Sequence, residues 1–139
     1  MNTQICCVRG VPPNFERLAA KFPQARELGT IFTYGAVVYY TGDKAPTREL
    51  VAHEAVHAAR QMAHSGGPEA WWERYCEDAL FRLDEELYTH HAELIAARKR
   101  HGHRTKDLQS IAARLAGPLY GRLLTVDQAR HALLTGVVA

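Results

Sequence analysis

One run of five residues, His53-Glu54-Ala55-Val56-His57, constrains this chain more than any other stretch. Thr47 is a suitable N-cap ahead of it, and Glu49 falls in the first turn, where an acid suits the helix dipole. Ser65-Gly66-Gly67-Pro68 closes the segment, so the spacing predicts a helix over residues 48–64. On a helix, side chains four apart stack on one face, so His53 and His57 can present two imidazoles to one metal ion. Glu54 lies beside His53 and can take a proton from a water on that ion. Two ligands and a general base on one turn form the arrangement of a zinc metallopeptidase. The remaining residues must supply a third ligand, a cleft and a frame.

The totals set few further limits. A length of 139 residues suits a single domain spanning 1–139, and 47% hydrophobic with 23% charged residues is ordinary for a soluble globular chain. A net charge of +2 gives no reason to expect nucleic-acid or membrane binding. No apolar run approaches the roughly 18 residues that span a bilayer. Met1-Asn2-Thr3-Gln4 lacks the basic and apolar regions of a signal peptide, so secretion by one is not expected. The three cysteines are expected as reduced thiols, and Cys6-Cys7 lacks the spacer of a cysteine zinc site.

Along the chain, Ile5 to Val8 reads as a short first strand. Asn14 is a candidate cap for a helix over roughly 15–28, with Phe15, Leu18, Ala19 and Phe22 on one face and Pro23 limiting its regularity. Residues 30–41 carry the clearest β signal, a hairpin turning near Tyr34-Gly35-Ala36. The 48–64 helix has two faces. Leu50, His53, Glu54, His57 and Gln61 form one; Val51, Ala55, Ala58 and Met62 form a small-residue core face beside it. A short helix over 69–75 follows, then a long one over 78–100 with Leu80, Leu83, Leu87, Leu94 and Ile95 as core candidates. Further helices are expected over 106–116 and 126–135, the last opened by a Thr125/Gln128 capping box. The class is α+β, mainly helical: a small hairpin or sheet beside the His-Glu-x-x-His helix and a Glu-bearing helix.

A catalytic zinc site takes three protein ligands and keeps a fourth position open. The extended His-x-x-Gly-x-x-His pattern is absent, and His64 lies about 10 Å along the axis from His57, too far to contribute. A carboxylate from a second helix remains, and residues 78–100 offer Asp84, Glu85, Glu86 and Glu93, with His90 and His91. Glu86 shares a face with Leu83, Leu87, His90 and Leu94, where an unpaired acid is costly. Glu85 shares the flank of Phe81, Tyr88, Ala92 and Ile95. Periodicity does not separate the two.

Leu50-Val51-x-His53-Glu54-x-x-His57-x-x-x-Gln61, then Trp71-Trp72-Glu73-Arg74-Tyr75, then Phe81-Arg82-Leu83-x-x-Glu86 resembles a group of small phage-encoded metallopeptidase-like proteins. More distantly the chain is similar to the ImmA/IrrE-type gluzincins. The likeness covers roughly residues 30–130, including Pro118-Leu119-Tyr120-Gly121. The family pattern, Glu-x-x-Ala followed by Asn or Tyr, falls on Glu86-Leu87-Tyr88-Thr89-His90, with Thr89 and His90 as departures. The resemblance therefore implies Glu86 as third ligand and a gluzincin-like fold. It also implies a bacterial cytoplasmic or virion-associated location. Zn²⁺ on His53, His57 and Glu86 would acidify its water and polarise a peptide carbonyl, with Glu54 as general base. His90, Tyr88 and Tyr120, in that order, are candidate oxyanion donors. Gln61 is a candidate partner of a ligand. The substrate is expected to be a peptide or protein, received in extended form along the hairpin's edge strand.

Other features read more plainly. Trp71 and Trp72 are expected as packing residues. The basic run Arg98-Lys99-Arg100-His101, with His103, Arg104 and Lys106, reads as a solvated helix end rather than a nucleic-acid surface. The rival to an enzyme is a non-catalytic, zinc-stabilised structural or interaction protein of a phage particle.

Overall fold

The computed structural model describes residues 4–27 and 29–136. The leader reading at residues 1–3 and the end of the expected first helix at Leu28 lie outside them. The described chain is mainly helical α+β, with a three-stranded sheet and six α-helices. No helix among the described residues is long and apolar enough to cross a membrane.

Strand β1 (Cys6–Arg9) pairs parallel to β3 (Val37–Tyr40), and β2 (Ile31–Tyr34) pairs antiparallel to β3, giving the order β1-β3-β2. Tyr34 pairs with Val37 across Gly35-Ala36, and Gly35 takes the positive φ of +60° that this tight turn demands. Helix α1 (Phe15–Lys21) is shorter than expected. Pro23 has no amide to continue it and forces Phe22 into an extended conformation; a 3-10 turn over Pro23–Arg26 follows. Asn14 occupies the cap position without a side-chain cap bond.

Helix α2 (Arg48–Ala63) starts where Thr47 accepts a bond from the Leu50 amide. Its face assignment needs correcting. The buried residues are His53, Glu54, His57, Ala58 and Gln61, while Met62 is exposed and Val51 and Ala55 are half-buried. The helix thus turns its polar face inward, where Glu54, Gln61 and His53 meet polar partners and His57 Nε2 meets Glu86, while His57 Nδ1 has no hydrogen-bond partner among the described residues. Helix α3 (Gly67–Glu77) begins two residues earlier than expected, with Pro68 in its first turn. Helix α4 (Ala79–His101) is capped by Asp78 and packs along α2. Leu80 and Ile95, expected in its core, are exposed.

Helices α5 (Thr105–Leu115) and α6 (Val126–Thr135) complete the fold, α6 opening with the Thr125/Gln128 capping box. A 3-10 turn, Pro118–Tyr120, lies between them. One apolar cluster joins α4, α5 and α6 through residues such as Leu94, Ile111, Leu115 and Leu133. A second gathers Leu18 with Trp71, Trp72 and Tyr75, so the tryptophans are packing residues as expected. Much of the basic run pairs internally: Arg100 and His101 face Glu49, and Arg104 grips Asp107 at 2.8 and 2.9 Å.

Candidate metal centre

Helix α2 contributes His53 and His57 one turn apart, and α4 brings Glu86 against them. Ligand atoms of the three lie within 4.8 Å of one another, and all three residues are buried. His53 Nε2 is 3.5 Å from Glu86 Oε1, and His57 Nε2 is 3.1 Å from Oε2. This group can hold a metal ion: two imidazole nitrogens and one carboxylate suit zinc and other first-row ions. The donor set fits such an ion for a second reason. Burial works to raise the Glu86 carboxyl, but the facing imidazoles of His57 and His53 hold it well below the usual carboxylate range.

A shell of partners orients the ligands. His53 Nδ1–H donates to Glu93 Oε1 at 2.9 Å, which leaves Nε2 for the ion, and Glu93 Oε2 accepts from Arg114. Desolvation would lower His53, but hydrogen bonds to Glu86 and Glu93 carry it up to about 10. Without an ion, a proton on His53 therefore stands where a cation belongs. Tyr75 donates to Glu86 Oε2 at 2.7 Å, and Thr89 donates to the Glu86 carbonyl at 3.0 Å.

Glu54 lines the same cavity as the three ligands, and its Oε2 accepts from the Thr33 hydroxyl at 2.6 Å. That bond ties the expected base to strand β2. The cavity is about 50 Å³, room for a few waters, and Phe22, Phe32, Trp72, Tyr75 and Tyr120 wall it. Burial, then the charges of Glu86 and Glu54, push the Tyr120 phenol well above its ordinary value, so it stays protonated. A wider cleft of about 580 Å³ also reaches His53 and Glu54 and opens past Thr30 and Ile31.

Comparison with known proteins found no matching family model, no similar curated protein and no similar solved structure. The geometry alone carries the reading.

Placement of the other expected residues is uneven. His90 is fully buried behind His53, with ring centroids 4.6 Å apart, and is not among the cavity-lining residues. Its Nδ1–H donates to the Glu86 carbonyl at 2.6 Å, and desolvation followed by the His53 charge lowers it to about 3. It is a neutral packing group whose Nε2 has no proton to offer an oxyanion. Tyr88 is half-exposed under the Arg60 guanidinium. Tyr120 alone of the three lines the cavity. Gln61 does not partner a ligand. Its amide accepts from Gly35 N–H at 2.7 Å and donates to the Thr33 carbonyl at 2.9 Å, fastening the hairpin to α2. Glu85 is buried too, but it accepts from Trp71 Nε1 at 2.5 Å and from Arg60. Thr33 and Tyr75 were not foreseen, because their contacts join elements far apart in sequence. Glu93 could have been singled out: two turns after Glu86, it falls on the same helix face.

Proposed function

We propose that this chain is a zinc-dependent metallopeptidase that hydrolyses peptide bonds, with His53, His57 and Glu86 as ligands and Glu54 as general base. The observation that carries the reading is that the buried ligand group and Glu54 line one cavity. Zinc, when bound there, supplies Lewis acidity to a water and to the scissile carbonyl. Thr33 holds Glu54 Oε2, which leaves Oε1 as the oxygen that takes the proton of water and delivers it to the departing amine. The Tyr120 hydroxyl is the donor for the developing oxyanion, and its raised value keeps that proton in place. The His53–Glu93–Arg114 chain fixes the imidazole's orientation.

Strand β2 is at the sheet edge, and Thr30 and Ile31 line the cleft, so an extended peptide can add there as a further strand. Gln61 and Trp72 both donate to the Thr33 carbonyl, at 2.9 and 3.0 Å. Those bonds occupy the Thr33 carbonyl, and the Thr30 amide already donates to the Glu27 carbonyl at 3.3 Å, so substrate pairing along this edge centres on Ile31.

The second reading is a zinc-stabilised structural or interaction protein of a phage particle without catalysis, and the small inner cavity is what favours it. Glu54→Gln separates the two. Zinc content by mass spectrometry should be unchanged, and cleavage of a peptide library should fall by about 10²–10⁴-fold. Equal inertness of the zinc-loaded parent and variant on every library would leave the structural reading.

A further inference from the structure

The 580 Å³ cleft has a neighbour of about 410 Å³, which runs between Gln24 and Pro118. Both are lined by Glu27, Thr30, Arg114 and Tyr120, so the two adjoin beside the metal centre. Arg114 is the one arginine or lysine among the described residues lining either cleft. Its Nη2 donates to Glu93, while Nε and Nη1 make no hydrogen bond among the described residues, and its side chain is 42% exposed. The guanidinium is thus anchored by one nitrogen with the others unspent. Glu93, which it grips, also accepts from His53 Nδ1, so the guanidinium stands one side chain away from the candidate ligands.

A planar guanidinium with free N–H groups matches the two oxygens of a carboxylate. Glu27 also lines both clefts, but it is exposed, where solvent screens its charge. We infer that Arg114 binds a carboxylate of the peptide substrate, either the chain's C-terminus or an Asp or Glu side chain, in the cleft beside the metal centre. The inference rests on the peptidase reading of the same site and names a substrate class for it.

Binding can be tested without turnover. Zinc-loaded Glu54→Gln protein is titrated by calorimetry with acetyl-tetra-alanine bearing a free C-terminus and with its C-terminal amide. Amidated acetyl-tetra-alanine peptides carrying Glu or Gln at each position in turn form the second set. The carboxylate member of at least one pair should bind roughly tenfold tighter, the scale of a hydrogen bond to a charged group. The pair that discriminates identifies the source of the carboxylate. Adding Arg114→Met should erase the preference, and Arg114→Lys should retain part of it. Equal affinity within every pair, no binding of any probe, or a preference that survives Arg114→Met would overturn the inference. The paired peptides decide with Arg114 intact, so the conclusion does not depend on the variant folding. Cleavage by the unmodified protein is scored separately. A carboxylate preference without turnover keeps the Arg114 site and removes the peptidase reading; turnover without preference does the reverse.

Discussion

Glu85 and Glu86 are neighbours on α4, each buried, and they face different partners. Glu86 meets two imidazoles; Glu85 meets an indole N–H and a guanidinium. Glu86→Ala should therefore abolish zinc binding measured by mass spectrometry. Glu85→Ala should keep the metal and lose about 1–3 kcal/mol of stability in urea unfolding, because Trp71 Nε1 is left buried without an acceptor. Glu93 acts one step out. Glu93→Gln weakens the grip on His53 Nδ1 and should lower zinc affinity by about 10–100-fold in competition with a chelator. The sequence alone placed both Glu85 and Glu86 on plausible faces. What separates them is the position of Trp71 and Arg60, which no periodicity within α4 encodes.

Among the elements, α2 and the β2–β3 hairpin form a single working part, joined by Gln61 and by the Thr33–Glu54 bond. Gln61→Ala strands the Gly35 amide, while the Thr33 carbonyl keeps Trp72. A loss of about 1–3 kcal/mol in urea unfolding is expected. Local signals located these elements well: the Thr47 cap, the capping box at Thr125 and the hairpin turn all stand where the residue types put them. Where the reading failed, a non-local effect intervened. Met62, Leu80 and Ile95 look like core residues along their own helices but lie on faces left exposed by the other described residues. The buried stripe of α2 is polar, so a hydrophobicity rule points to the wrong side of it. The parallel pairing of β1 with β3 joins segments separated by a helix and a second strand, and no turn chemistry announces it.

For the whole molecule, the centre links metal, protons and stability. His53 is raised to about 10 from 6.5, so its proton stabilises the metal-free fold fully below pH 6.5. That contribution is lost as pH rises through about 10. Glu86 is held below its ordinary 4.5, so its contribution is present above that pH and lost as pH falls through its lower folded value. His90, lowered to about 3, stays neutral in the fold but takes up a proton on unfolding below pH 6.5, so it subtracts stability as pH falls through that value. The metal-free protein should melt highest at about pH 6.5 and progressively lower on both sides. A metal ion bound by this group would replace the proton, so added zinc should flatten the alkaline decline. Thermal melts across pH, with and without zinc, give the comparison. Zinc at a hundred times its Kd should add about 2.7 kcal/mol.

Helix α4 holds Glu86, His90 and Glu93 in a single uninterrupted segment, and this spacing limits how its length can vary. One inserted residue between Glu86 and Glu93 would rotate everything beyond it by about 100° and advance it about 1.5 Å. Glu93 would then leave His53, and Arg114 would lose its anchor. Insertions in the Gly102–Arg104 connection or the 121–125 loop displace none of these contacts. A library of single-residue insertions should therefore find the middle of α4 intolerant and its flanking loops permissive, a pattern set by helical pitch rather than by burial.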